Sequence, residues 1–227
     1  LGPTSRELMT IIRGCWLAGV ASMVLPLPMR MASLDAFIES TRSRIRHGEA
    51  KLVLIDDQLA AFYQTIPGDP PTLPMAAVMP GPGKPSGERL ELPANDPERL
   101  VILQYTSGST SEPKGVMIPH AGISNLVASD IDYFDIGPGD RCAQGSSLSY
   151  DSSVEEIWLA WAGGGTVVVM SDEIARLGPD LVTWLQDERI SVLCPPPTLL
   201  RTMGCDNPAD ALPELRIIYV GGEALPP

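Results

Sequence analysis

The stretch "LQYTSGSTSEPKG", residues 103–115, decides the reading of this sequence. An apolar run ends at Tyr105, and six small residues follow, five of them bearing hydroxyls, with Gly108 among them. Hydroxyls and exposed backbone N–H groups donate hydrogen bonds to phosphate oxygens, and glycine lets the backbone approach a polyanion closely. The candidate phosphate contacts are therefore Thr106, Ser107, Gly108, Ser109 and Thr110. Pro113 stiffens the exit, and Lys114 adds a mobile positive charge. A Walker A loop needs Gly, four residues and then Gly-Lys-Ser/Thr. Here five residues separate Gly108 from Lys114, and Gly115 comes after the lysine, which disfavours a P-loop NTPase.

On either side of the loop, short apolar runs alternate with segments of helical spacing. Upstream, residues 5–20 carry Leu8, Ile11, Ile12 and Trp16 at helical intervals, and residues 21–27 read as a short buried strand. Ser33 offers an N-cap to a helix over 34–47, and residues 51–55 form a strand. Residues 67–95 are rich in Pro and Gly and read as a crossing loop or linker; within them, "GPGKPSG" at 81–87 has no strand just ahead of it and is read as linker. Downstream, strands are expected at 100–105, 116–118, 141–148, 166–170, 190–193 and 215–220. Helices are expected at 119–130, 153–161, 179–188 and 197–203. This rhythm predicts an α/β fold, mostly parallel sheets flanked by helices, with functional loops at the carboxyl ends of the strands. The expected division is a first α/β subdomain over 1–98 and a second over 99–227 carrying the phosphate loop and the substrate pocket.

The composition narrows the function. The chain has 227 residues, of which 44% are hydrophobic, enough for a substantial core. A net charge of −12 gives no basic footprint for nucleic acid and argues against docking on anionic membranes. The longest apolar stretch, 15–29, is shorter than the ~18–20 residues of a membrane span and is broken by prolines. Cys15, Cys142, Cys194 and Cys205 show no CxxC spacing, and only His47 and His120 accompany them, so no zinc site is expected. The thiols point to a reducing, cytoplasmic compartment. Three lysines stand beside thirteen arginines, which singles out Lys114.

"YTSGSTSEPKG" closely resembles the signature loop of adenylate-forming enzymes: acyl-CoA synthetases, fatty acyl-AMP ligases, luciferases and the adenylation domains of nonribosomal peptide synthetases. The resemblance implies ATP-dependent activation of a carboxylate to an acyl-adenylate with release of pyrophosphate, with Mg²⁺ sharing the charge neutralisation. It assigns Thr106, Ser107, Gly108, Ser109, Thr110 and Lys114 to the β- and γ-phosphates, with Thr106 and Lys114 also catalytic. The family usually has Gly where this chain has Ser111. Residues 1–119, with "GCWLAGVASMVLPLPMRM", look more like fatty acyl-AMP ligases. Residues 120–227, with "SLSYDSSVEEIW" and "LPELRIIYVGGEALPP", look more like amino-acid-activating domains. Family members run to roughly twice this length, so the chain is expected to be an internal piece of the large N-terminal domain, with negligible turnover alone.

"YDSSVEEIW" puts Asp151 before a helix and Glu155 four residues later, near one face if Asp151 sits at the helix start. From the residues alone, Asp151 is either an N-cap beside a solvated Glu155 or part of a pocket. The resemblance pairs Asp151 with the α-ammonium of an amino acid and lines the pocket with Ser152, Glu155, Cys194, Tyr219 and Gly221. Glu155 in such a pocket wants a cation, which suggests a basic amino acid such as lysine, ornithine or diaminobutyrate. Gly222, Glu223 and Ala224, an ordinary Gly-rich turn by themselves, are placed against the adenine. The acceptor implied is a carrier-protein phosphopantetheine or CoA. His120 is read as a helix start, Trp158 and Trp161 as core, and Cys194 as no nucleophile, since no histidine lies near it in sequence.

Overall fold

The computed structural model describes residues 1–27, 33–79, 91–106 and 114–224. Residues Leu1–His120 and Ala121–Pro227 form two compact units. In the first, α1 (Arg6–Leu17) starts where Ser5 Oγ accepts from the Leu8 N–H at 3.2 Å, and it buries Leu8, Met9 and Ile12. In α2 (Leu34–His47), Ser33 Oγ accepts from the Ala36 N–H at 3.1 Å, while Phe37, Thr41 and Ile45 turn inward. β1 (Val53–Ile55) leads into the single turn α3 (Asp57–Ala60) and pairs in parallel with β2 (Thr72–Pro74).

β2 lies inside the stretch that the sequence reads as linker. Proline lacks an N–H but keeps its acceptor, and the Pro71 carbonyl accepts from the Val53 N–H at 2.9 Å. Part of that stretch, including 81–87, lies outside the described residues. The strand expected over 21–27 reduces to one bridge. The Ser22 N–H donates to the Val101 carbonyl at 2.9 Å, and the Ser22 carbonyl accepts from Leu103 at 3.0 Å. Pro26 has no amide proton with which to extend the pairing.

β3 (Leu100–Tyr105) pairs antiparallel with β4 (Gly115–Pro119), the one antiparallel pair among the described strands. Tyr105 packs with Leu25, Ile45, Val53, Ile55 and Tyr63, and its hydroxyl donates to the Arg44 carbonyl at 3.1 Å. These ties bind the phosphate-loop strand to the first unit. The boundary therefore falls after His120, not after residue 98.

The second unit opens with α4 (His120–Phe134) and alternates β5 (Arg141–Gln144), α5 (Ser152–Gly163), β6 (Thr166–Val169), α6 (Leu181–Asp187), β7 (Val192–Leu193), α7 (Pro197–Met203), α8 (Pro208–Ala211) and β8 (Ile217–Ile218). Its four strands are all parallel, in the order β6-β5-β7-β8. Period-two alternation gives the sheet two apolar faces. Ala143, Val168 and Leu193 pack with Leu181 and Leu185 of α6 and Met203 of α7. Cys142 and Val192 face Leu159 and Ala160 of α5 and Ile136 after α4. Helix α5 lies so close to this layer that a Cβ on Gly163 would sit 2.7 Å from the Ile136 carbonyl oxygen.

β6 lies on one side of β5, and the chain then returns to place β7 on the other. The direction of winding reverses between β5 and β7, and in open α/β sheets ligands bind outside the carboxyl ends of the strands at such a point.

Candidate functional site

In the first unit, the Thr106 N–H donates to the Lys114 carbonyl at 3.0 Å, which closes the neck of the hydroxyl-rich loop. Both residues are exposed. Ser107, Gly108, Ser109 and Thr110 lie outside the described residues. His120 opens α4, and its amide donates to the Arg99 carbonyl at 2.9 Å. A cleft of about 230 Å³ in this unit is lined by Trp16, Val20, Leu92, Arg99 and His120 among others and holds none of the candidate site residues.

In the second unit, two candidate pocket residues meet beyond the carboxyl ends of β7 and β8, within electrostatic reach of Glu155 on α5. Cys194 follows β7 and Tyr219 follows β8, and the Tyr219 hydroxyl and the Cys194 thiol interact. The Tyr219 ring stacks on Phe134 at 5.2 Å between centroids. Burial pushes the Cys194 thiol up to about 12, so it is no nucleophile near neutral pH. Burial also raises Tyr219 well above the usual phenol range, with Glu155 and Glu156 adding to the effect.

Glu155 is half-buried on α5. Burial raises its carboxyl above the usual range, and its charged neighbours Asp130 and Asp151 raise it further. Glu155 is thus only partly solvated, and both of these neighbours are acidic. Asp151 does sit at the cap position, exposed, with its carboxylate accepting from the Ser152 N–H at 2.9 Å. The cap and pocket readings of Asp151 are therefore compatible. Trp158 and Trp161 pack edge to face on α5.

Gly221 to Ala224 form an exposed turn. Gly222 takes φ +81°, a region that favours glycine. Glu223 accepts from Thr198 Oγ1 at 3.4 Å, which holds the turn to the start of α7. Among the described residues, no group of three or more His, Cys, Asp or Glu could hold a metal ion. Nor is any helix long and apolar enough to cross a membrane.

Two buried carboxylates escape the sequence reading. Asp140, just before β5, accepts from Arg216 Nε at 2.9 Å and Nη2 at 2.7 Å, from Ser191 Oγ at 2.7 Å and from the Gly137 N–H at 2.9 Å. The Arg216 guanidinium holds its carboxyl down at about 2. Glu156 is 3% exposed and, among the described residues, has no cation beside it. Its carboxylate accepts from the Ser146 N–H at 3.0 Å, Ser146 Oγ at 2.9 Å and Gln144 Nε2 at 3.3 Å. Burial outweighs these bonds and pushes it up to about 7. Helical spacing could have found Glu156, because it lies on the stripe of α5 that buries Ser153, Ile157 and Ala160.

The model of the AMP-binding enzyme family matches residues 1–227, and the chain belongs to that family. It is 31% identical over 228 residues to the phenyloxazoline synthase MbtB of Mycolicibacterium paratuberculosis, covering 100% of this chain and 18% of that protein. It is 36% identical over 143 residues to the delta-poly-L-ornithine synthetase of Acinetobacter baumannii, covering 63% of this chain and 10% of that one. Among solved structures it resembles the nonribosomal peptide synthetase FmoA3 bound to alpha-methyl-L-serine-AMP. The TM-score is 0.78 at 24% identity, over 99% of this chain and 24% of that one. The chain spans less than a fifth of the length of these two curated relatives.

Proposed function

We propose that this chain forms the phosphate loop and substrate pocket of an enzyme that activates an amino acid with ATP in nonribosomal peptide synthesis. A carboxylate oxygen of the amino acid attacks the α-phosphorus of ATP. The bond from that phosphorus to the bridging oxygen breaks, and pyrophosphate leaves with its electron pair. Thr106, Ser107, Gly108, Ser109, Thr110 and Lys114 hold the β- and γ-phosphates and neutralise the charge that gathers on the leaving group, so that catalysis is mainly positioning and electrostatics. Mg²⁺, when bound with the nucleotide, would supply further charge neutralisation on its phosphates; among the described residues no group of three or more His, Cys, Asp or Glu could hold it. Gly222, Glu223 and Ala224 lie against the adenine. The aminoacyl group then passes to a carrier-protein thiol.

One observation carries the substrate reading. Glu155 lies within electrostatic reach of Cys194 and Tyr219, and its charged neighbours Asp130 and Asp151 are acids. This concentration of negative charge, exposed at Asp151 and half-buried at Asp130 and Glu155, favours a ligand with two cationic groups: an α-ammonium at Asp151 and a side-chain ammonium at Glu155. Ser152 and Gly221 complete the lining. Lysine, ornithine and diaminobutyrate fit this pattern, and the likeness to an ornithine polymer synthetase agrees with it.

The test is ATP–pyrophosphate exchange by the full-length protein across a panel of carboxylates. A basic amino acid is expected to give the largest rate, and leucine or a long-chain fatty acid outperforming every basic amino acid would defeat the reading. The fatty acyl-AMP ligase reading rests on the "GCWLAGVASMVLPLPMRM" resemblance. Asp151→Ala separates the two, since it abolishes amino-acid-dependent exchange and leaves lipid activation unchanged.

A further inference from the structure

We propose that Glu156 is a positioning residue that fixes the substrate pocket from behind, by clamping the chain where it leaves β5. This rests on the adenylation reading above and goes beyond the residues that line the pocket.

The geometry is specific. Gln144 ends β5 and is fully buried, and Ser146 lies two residues beyond it, at the point where the sheet reverses its winding. Residues 146–151 then cross to the start of α5, with Asp151 at the cap. Glu156, one turn into that helix, reaches back and accepts from both the amide and the hydroxyl of Ser146 and from the side-chain amide of Gln144. Gln144 Nε2 also donates to the Ser146 carbonyl. The crossover is thus tied at its root to the helix that carries both Asp151 and Glu155. Two further bonds stiffen it: the Ser147 and Ser149 hydroxyls lie 3.0 Å apart, and Ser153 Oγ donates to the Tyr150 carbonyl at 2.7 Å.

A clamp built only for stability would not need this chemistry. Replacing a buried carboxylate and its partners by apolar groups is often neutral or stabilising. The carboxylate has no cation beside it, and Gln144 Oε1 is buried with no partner. These costs fall at the one place in the sheet where a displaced crossover would move the groups that meet the substrate, and small displacements of positioning groups have large kinetic effects.

Protonation gives a second handle. The titratable groups that face Glu156 are Cys142 of β5, Cys194 after β7 and Tyr219 after β8, with Glu155 beside it on α5. The two thiols and the phenol keep their protons across neutral pH, so Glu156 is the member of this set placed to change charge there. A protonated Glu156 loses acceptor capacity toward its three donors and loosens the clamp.

The experiment is steady-state exchange by the full-length protein, wild type against Glu156→Gln and Ser146→Ala, with thermal unfolding of each. The glutamine keeps the volume but points an amide N–H₂ at donors. The expected result is an amino-acid KM about tenfold higher in Glu156→Gln and about threefold higher in Ser146→Ala, with the ATP KM within twofold and the unfolding of Glu156→Gln unchanged below pH 4.5. The double variant is no worse than Glu156→Gln alone. In the wild type the amino-acid KM climbs as pH falls through about 7, and Glu156→Gln loses that dependence. If the wild type is active with amino acids and Glu156→Gln leaves the amino-acid KM unchanged, or raises both KM values equally, the positioning role is overturned. If the wild type shows no amino-acid-dependent exchange at all, the adenylation reading fails and the inference falls with it.

Discussion

The two ends of β5 treat a buried carboxylate in opposite ways. At the amino end, Asp140 is surrounded by donors and bonded through two nitrogens to Arg216, whose guanidinium also donates to the Phe134 and Asp135 carbonyls. At the carboxyl end, Glu156 keeps three donors but no cation, beside a buried amide oxygen without a partner. The first cluster ties α4, β5, β7 and β8 together at the end of the sheet away from the pocket. The second lies where parallel sheets carry ligands. The fold resolves its charges completely where only stability is at stake and leaves them imperfectly compensated beside the site.

The largest effect follows from breaking the first cluster. Arg216→Ala leaves Asp140 buried without its cation. Such losses cost roughly 3–5 kcal/mol when both partners are fully buried. The Arg216 side chain is 39% exposed, so a loss of about 2 kcal/mol is expected in urea unfolding. Glu156→Gln at the other end removes no ion pair and is expected to leave the unfolding midpoint unchanged below pH 4.5, where the carboxyl it replaces is neutral.

The pH dependence of stability separates the ends by sign. The folded carboxyl of Asp140, at about 2, lies below its unfolded value of 3.8. Its contribution of about 2 kcal/mol is present above pH 3.8 and lost as pH falls through about 2. The folded carboxyl of Glu156, at about 7, lies above its unfolded value of 4.5. Its contribution is present below pH 4.5 and lost as pH rises through about 7. Unfolding measured from pH 2 to 8 is expected to lose the acid limb in Asp140→Asn and the near-neutral limb in Glu156→Gln.

The smallest effect belongs to an exposed contact outside both clusters. Glu223→Ala removes only the 3.4 Å bond from Thr198 and is expected to change unfolding by less than about 0.5 kcal/mol. Its readout is the KM for ATP, expected to rise severalfold if the turn meets adenine.

Much of this architecture was legible in the sequence because its signals are local. Ser33 followed by apolar residues at helical spacing marks α2, the run "LVILQY" marks β3, and the prolines before Thr198 mark the start of α7. Of the candidate pocket residues, Glu155 was singled out by its spacing from Asp151 together with the family resemblance, and Cys194 and Tyr219 by the resemblance alone. What stayed hidden depends on partners distant in the chain. Asp140 and Arg216 are 76 residues apart and become a pair only when β8 joins the sheet. Glu156 is about 140° around the helix from Asp151, so attention to the Asp151–Glu155 face passes over it. β2 was masked by its prolines, whose carbonyls still accept sheet bonds. The attachment of β3 to the first unit rests on the Tyr105 packing and the Ser22 bridge, neither of which has a local signature.

The most direct test of the account is the substrate preference of a pocket stripped of its acid. ATP–pyrophosphate exchange by the full-length protein is compared between the wild type and Glu155→Leu, across ornithine, lysine, leucine and a long-chain fatty acid. Exchange driven by the basic amino acids in the wild type, and a shift toward leucine in the variant with Asp151 still required, is the predicted result. An unchanged preference in Glu155→Leu, or lipid-driven exchange in both proteins, would contradict it.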